Sequence, residues 1–144
     1  MTALRVLLDS AVPLYAAGAE SKWKAPCLAV MDAVATGAVD AHASIEAIQE
    51  YAHHRLRRTG SPKVAAAEAR DLRALVQELA FDSAVLDRAL DLMAGSAVRG
   101  RNAVHAATAS VHGIDHIISP DAAFDALAWL TRLDPLTFAP VRAS

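Results

Sequence analysis

Asp9, Glu50, Asn102 and Asp121 are the residues of this chain best suited to chemistry. Asp9 ends the apolar run Leu4-Arg5-Val6-Leu7-Leu8, and Asp121 follows a second run, Ile117-Ile118-Ser119-Pro120. Glu50 and Asn102 fall in segments that read as helices. Brought to one point, three carboxylates and an amide make a cup of hard oxygen donors, the kind Mg²⁺ and Mn²⁺ prefer. A metal held in that way serves metal-dependent phosphodiester chemistry. Taken singly, each residue has a plainer reading. Asp9 and Asp121 read as helix caps after strands, Glu50 and Glu46 as solvated helix acids, and Asn102 as a cap after Gly100. Only convergence separates the two readings, so the elements that carry these residues decide between them.

Ala3–Leu8 is a short continuous apolar run, as expected of a strand buried on both faces. Helices are predicted over Val12–Ala17 and Pro26–Thr36, the second with Pro26 in its first turn and Gly37 as its stop. Asp40–Ser44 reads as a weak strand, with Ser44 placed to cap a helix over Ile45–Arg58. That helix carries Ile45, Ile48, Ala52 and Leu56 on one face and Glu46, Glu50 and Arg57 on the other. After the break Thr59-Gly60-Ser61-Pro62, the spacing of Val64, Leu72, Leu75, Val76 and Leu79 predicts one helix over Lys63–Leu79. Another is predicted over Ala84–Met93. Asn102–His112 is predicted helical, with Ala103, Ala106, Ala107 and Ser110 along a side small enough to lie close against a sheet. Gly113 ends it, and Ile114–Ser119 reads as a strand. This order predicts the α/β class: an α/β/α sandwich with a short, mainly parallel central sheet, in a single domain over 1–144. In such sheets sites form outside the carboxyl ends of the strands, the edge that Asp9 and Asp121 should both reach.

Composition excludes several function classes. A chain of 144 residues with 54% hydrophobic content and mean hydropathy +0.26 has material for a real core. No apolar stretch approaches the roughly 20 residues of a membrane span, and no secretory signal is read at the N-terminus. Cys27 is the one cysteine, so no internal disulfide forms, which suits a reducing cytoplasm. A net charge of −2 argues against a DNA-coating protein, so any nucleic-acid contact is local. His53-His54, His105 and His112 lack the spacing of a zinc site. Arg55, Arg57, Arg58 and Lys63 read as a solvated helix end. Arg99 and Arg101 are open to that reading or to phosphate contact beside the acids, as candidate substrate-binding residues. Aromatic residues make up 5% of the chain, which points away from base stacking as the basis of any nucleic-acid recognition and toward recognition by shape.

Four blocks carry a resemblance: Leu7-Leu8-Asp9-Ser10-Ala11-Val12, Ser44 to Tyr51, Arg101-Asn102-Ala103-Val104-His105-Ala106-Ala107-Thr108-Ala109, and Ile117 to Asp125. In order and spacing the chain resembles the PIN-domain ribonucleases, most nearly the VapC toxins of bacterial toxin–antitoxin pairs. The terminal Leu133-Asp134-Pro135 also fits how many of these chains finish. The resemblance implies a Mg²⁺- or Mn²⁺-dependent endoribonuclease acting on structured RNA such as transfer or ribosomal RNA. It further implies a homodimer neutralised by a cognate VapB-type antitoxin. Asp9, Asn102 and Asp121 would then be metal ligands and Glu50 a second acid, either ligand or general base. Ser10 and Ser119 match the hydroxyl residues that orient such acids. Two positions depart from the pattern. Asn102 stands where the family has aspartate, which keeps the shape but removes a charge and weakens metal binding. Ala11 stands where the family often has a polar residue. The alternative to an active nuclease is therefore a PIN-like module that binds RNA or antitoxin without cleaving; a third reading is a generic α/β protein whose apolar helices serve oligomerisation.

Overall fold

The computed structural model describes residues 2–139. In chain order the elements are β1 (Leu4–Leu8), α1 (Ala11–Ala17), α2 (Lys24–Thr36), β2 (Val39–Ser44), α3 (Ile45–Thr59) and α4 (Pro62–Leu75). They continue with β3 (Gln77–Leu79), α5 (Ser83–Gly95), α6 (Gly100–Val111), β4 (His116–Ile118), a short 3₁₀ helix (Ala122–Ala126) and β5 (Thr131–Leu133). The five strands form one sheet in the order β3-β2-β1-β4-β5, and every neighbouring pair is parallel. Among the described residues no helix is long and apolar enough to cross a membrane.

The sheet is covered on both sides because β1 is apolar at every inward position. Successive side chains on a strand point to opposite faces. Leu7, with Ile117 of β4, packs into a core shared with Val85, Ala89 and Leu92 of α5 and Ala103, Ala106 and Ala107 of α6. Val6 and Leu8, with Ile118, face the other way, onto Val12, Cys27, Val30 and Val34 of α1 and α2. The alanines of α6 let it lie close to the sheet, as its composition predicts. A smaller cluster joins Ala47, Ile48 and Tyr51 of α3 to Ala69 and Leu72 of α4.

Helix ends follow the sequence signals. The Ser44 hydroxyl accepts from the Ala47 N–H and starts α3, and Gly37 closes α2 in the left-handed conformation (φ 77°) that favours glycine. Three expectations change. The predicted helix over Lys63–Leu79 is two elements. Val76 turns extended, and Gln77–Leu79 pairs in parallel with His42–Ser44 as an edge strand, with Leu79 half-buried against the α5–α6 core. An apolar run at the end of a helical pattern does not distinguish one more turn from a three-residue strand. The 3₁₀ helix and β5 are also additions; β5 pairs through Thr131–Leu133 with His116–Ile118. Finally, α3 and α4 bury narrower faces than predicted. Ile45, Leu56, Val64 and Leu75 are exposed, while Ala47, Tyr51, Ala65 and Ala69 are inside.

Cys27 is fully buried on α2. Burial pushes its thiol up to about 11, with the charges of Asp134 and Asp9 acting in the same direction. The thiol of the folded protein is therefore expected to resist iodoacetamide at mildly alkaline pH and to alkylate fully in denaturant, which mass spectrometry reads directly. Rapid labelling of the native chain would show that α2 opens locally.

Candidate active site

The carboxyl ends of β1, β2 and β4 open into a cavity of ≈ 570 Å³ lined by Asp9, Glu50, Arg101, Asn102, His105 and Asp121, among others. Asp9 follows β1 and is buried, at 6% exposure, whereas Asp121 sits at the exposed start of the 3₁₀ helix after β4. Asn102 lies in the first turn of α6, and Glu50 lies on α3. All four residues singled out by type and position thus meet around one volume. A parallel sheet makes this unavoidable for the two aspartates, since each follows a strand that ends at the same edge.

A chain of hydrogen bonds fixes the two aspartates relative to each other. The Ser119 hydroxyl donates to Asp9 Oδ2 at 2.6 Å and itself accepts from the Asp121 N–H at 3.0 Å. Asp9 Oδ1 accepts from the Ala11 N–H at 3.2 Å and from the Ser10 hydroxyl at 3.4 Å. Asp121 Oδ1 caps the 3₁₀ helix through the Ala123 N–H at 2.9 Å, and Oδ2 accepts from Asn102 Nδ2 at 2.8 Å. The Ala123 N–H first, the Asn102 amide second and the Arg132 charge together hold Asp121 below the usual carboxylate range. Asp121 is therefore held as an anion, and all four carboxylate oxygens of the two aspartates already accept hydrogen bonds.

Glu50 and His105 are also held. Arg101 Nη1 lies 2.5 Å from Glu50 Oε1, pairing an exposed guanidinium with a half-buried carboxylate. His105, one turn after Asn102, is 2% exposed. Its Nδ1 lies 3.4 Å from the Ser44 hydroxyl, whose oxygen already accepts from the Ala47 N–H. The other ring nitrogen, Nε2, lies 3.9 Å from Asp9 Oδ1. Burial drives the His105 pKa down, against the opposing pull of Asp9 and Glu50, so the ring stays neutral.

The two candidate substrate contacts part company. Arg101 lines the cavity, whereas Arg99 does not: its guanidinium donates to the carbonyls of Met93, Ser96 and Val98 and closes the α5–α6 loop. Several residues join the site without having been singled out. Arg132 of β5 donates to the Ser119 carbonyl at 3.2 Å while paired with Asp125 and Asp134, and so braces the segment that carries Asp121. Tyr15, Trp23 and His54 line the same cavity as the acids. Two of the chain's few aromatic rings thus stand at the site.

The donors are hard oxygens, the right kind for a divalent cation of the Mg²⁺ class, but they carry less charge than such sites usually gather. Among the described residues no three His, Cys, Asp or Glu side chains form a group that could hold a metal. Two features account for this: an amide replaces a carboxylate at Asn102, and Glu50 is engaged by Arg101.

No curated protein matches the chain by sequence. Solved structures match its fold closely. A FitAcB crystal structure from Neisseria gonorrhoeae superposes with TM-score 0.71 at 19% identity, covering 92% of this chain and 99% of the other. VapBC2 from Rickettsia felis, bound to a promoter DNA fragment, gives 0.69 at 10% identity with 91% and 98% covered. The sarcin-ricin loop cleaving toxin VapC20 of Mycobacterium tuberculosis gives 0.68 at 17% identity with 84% and 93% covered. At these identities the likeness is one of fold. The sequence itself matches the PIN-domain family over residues 6–130, and the chain belongs to that family.

Proposed function

We propose that this chain is a metal-dependent endoribonuclease toxin of the VapC kind, cleaving structured RNA and neutralised by a cognate VapB-type antitoxin. The observation that carries the reading is the meeting of Asp9, Glu50, Asn102 and Asp121 in one cavity at the carboxyl edge of a PIN-domain sheet. Support also comes from the fold neighbours, which include toxin–antitoxin complexes and a toxin that cleaves the sarcin-ricin loop. Asp9 and Asp121 would hold Mg²⁺ or Mn²⁺, with the Asn102 amide oxygen as a third donor. Such an ion, when bound, lowers the pKa of water and offsets charge on the phosphoryl oxygens.

The protein's own groups do the positioning. Ser119 bridges the two aspartates, so neither rotates independently. His105, kept uncharged by its burial, stands 3.9 Å from Asp9 and walls that carboxylate from the α6 side. Arg101 holds Glu50 and, when it turns to a substrate phosphate, frees that carboxylate for the water or for a second cation. The apolar stripe Leu86, Leu90 and Met93 on α5 is exposed and is surface on which a second copy would pack as a homodimer.

A second reading is favoured by one observation. Asn102 donates to Asp121, so the third donor turns its amide hydrogen, not its oxygen, toward its neighbour. A chain locked in that state would bind RNA or antitoxin without cutting. Incubation with total cellular RNA and Mn²⁺ decides: discrete fragments are expected, abolished by EDTA and by Asp9→Asn. Intact RNA with the wild type in Mn²⁺ would leave only the binding module.

A further inference from the structure

Tyr15 and Trp23 stand together at the mouth of the acid cavity, Trp23 only partly buried against the core and Tyr15 exposed. Their ring centroids lie 5.9 Å apart at an interplanar angle of 31°, and both line the same volume as Asp9, Glu50 and Asp121. Tyr15 is 37% exposed, a large ring left in water beside charged groups. Trp23 packs one side against the α1–α2 core and carries the Lys22 ammonium 5.1 Å from its ring centroid. The loop between them is built to hold this arrangement. Lys24 Nζ donates to the Gly18 carbonyl at 2.6 Å, the Trp23 N–H donates to Ser21 Oγ at 3.2 Å, and a Cβ at Gly18 would meet the Leu14 carbonyl oxygen at 2.9 Å.

A basic surface continues from the rings. A second cavity of ≈ 360 Å³ shares Leu14 and His54 with the first and is lined by Arg57 and Arg58 at the end of α3. Arg55 beside them is engaged by Glu68 and the Ala17 carbonyl. Arg57 and Arg58 are exposed and have no carboxylate partner among the described residues. Aromatic faces next to free guanidinium groups, leading out of an anionic pocket, match a nucleotide chain in both of its parts: bases stack on rings, and phosphates pair with arginines.

We infer that Tyr15 and Trp23 form a stacking shelf for an unpaired base next to the phosphodiester at Asp9 and Asp121, with Arg57 and Arg58 holding the phosphates beyond it. The inference rests on the proposed ribonuclease function and assigns to these four side chains the grip on the nucleotides flanking the cleavage point. A base within a duplex is covered on both faces by its neighbours and has none to offer a protein ring. The low aromatic content is no obstacle, because one shelf needs only two rings.

The test reads Trp23 emission. In a Trp129→Phe background Trp23 is the sole tryptophan of the chain. This protein is titrated, in EDTA to prevent cleavage, with a short single-stranded RNA and with the same sequence as a duplex. The single strand is expected to quench the emission saturably and to bind more tightly than the duplex. Tyr15→Ala, at an exposed position, should keep the circular dichroism spectrum and thermal midpoint while weakening single-strand binding about fivefold or more. Trp23→Phe, which keeps a ring, should weaken binding less than Trp23→Ala, both read by the anisotropy of an end-labelled RNA because these variants lack the reporting indole. Single-strand binding with unchanged emission, or equal quenching by the duplex, would overturn the shelf while the nuclease reading stands. Failure to bind either RNA would overturn both, and quenching by a protein partner in place of RNA would reassign the rings to a protein interface.

Discussion

Asn102→Asp is expected to raise Mn²⁺-dependent RNA cleavage by roughly one to two orders of magnitude, because ligand charge and orientation set both metal affinity and rate. The same substitution should make the protein less stable when no metal is present. The Asn102 amide donates to Asp121 Oδ2 at 2.8 Å, so a carboxylate there would replace a donor with a like charge at contact distance. A loss of about 1–3 kcal/mol in EDTA follows from the lost bond and the repulsion. The pH dependence has a definite sign. Asp121 is depressed in the wild type, so its contribution is present above the unfolded carboxyl pKa and is lost as pH falls through the folded one. With two carboxylates facing each other, one folded pKa rises instead, and the penalty grows as pH climbs above the unfolded value of about 4. Thermal melts of both proteins with and without Mn²⁺ separate the terms: the variant should gain far more from the cation than the wild type does. Equal metal response in the two proteins would show that position 102 does not face the ion.

What could be seen in advance, and what could not, has a physical explanation. Asp9 and Asp121 were legible because a strand is short, apolar and ends at a known edge, so the first acid after it is placed by topology alone. Glu50 and Asn102 were legible only through the family pattern; their helical spacing alone says solvated face and cap. The reach of each side chain was not legible. Arg99 and Arg101 are two residues apart, yet one closes a loop while the other reaches Glu50, because Arg99 lies in extended backbone just before α6 and Arg101 in the first turn of that helix. His105 shows in the sequence only a lack of zinc-site spacing; its burial and its hydrogen-bond link to Ser44 from another element are tertiary facts without a local signature. β3 and β5 escaped for a similar reason. Three residues carry no period, and each strand exists because an exposed sheet edge was available to pair with it.

Phe124→Ala is expected to lower stability by about 3–5 kcal/mol, the usual loss when a buried phenyl ring is truncated. Phe124 is among the largest fully buried side chains and packs in the core shared by β1, β4, α5 and α6. For a domain of this size such a loss lowers the melting midpoint by roughly 10 °C. A functional effect should come on top of that. Phe124 is the anchor of the 3₁₀ helix whose first N–H groups are capped by Asp121, and its own N–H donates to the Asp121 carbonyl at 3.4 Å. Removing the ring frees the segment that holds Asp121 against Asn102 and Ser119. Leu92→Ala supplies the comparison, since Leu92 lies in the same core but on α5, away from the acids. Its expected stability loss of about 2–5 kcal/mol overlaps that of Phe124→Ala. Assayed at a temperature where both variants remain folded, Leu92→Ala should keep Mn²⁺-dependent cleavage near the wild-type rate and Phe124→Ala should not. If the two lose activity in proportion to their stability alone, Phe124 fills the core and does nothing to aim Asp121. If only Phe124→Ala fails, the ring three residues after Asp121 holds that carboxylate in place by anchoring its turn in the core.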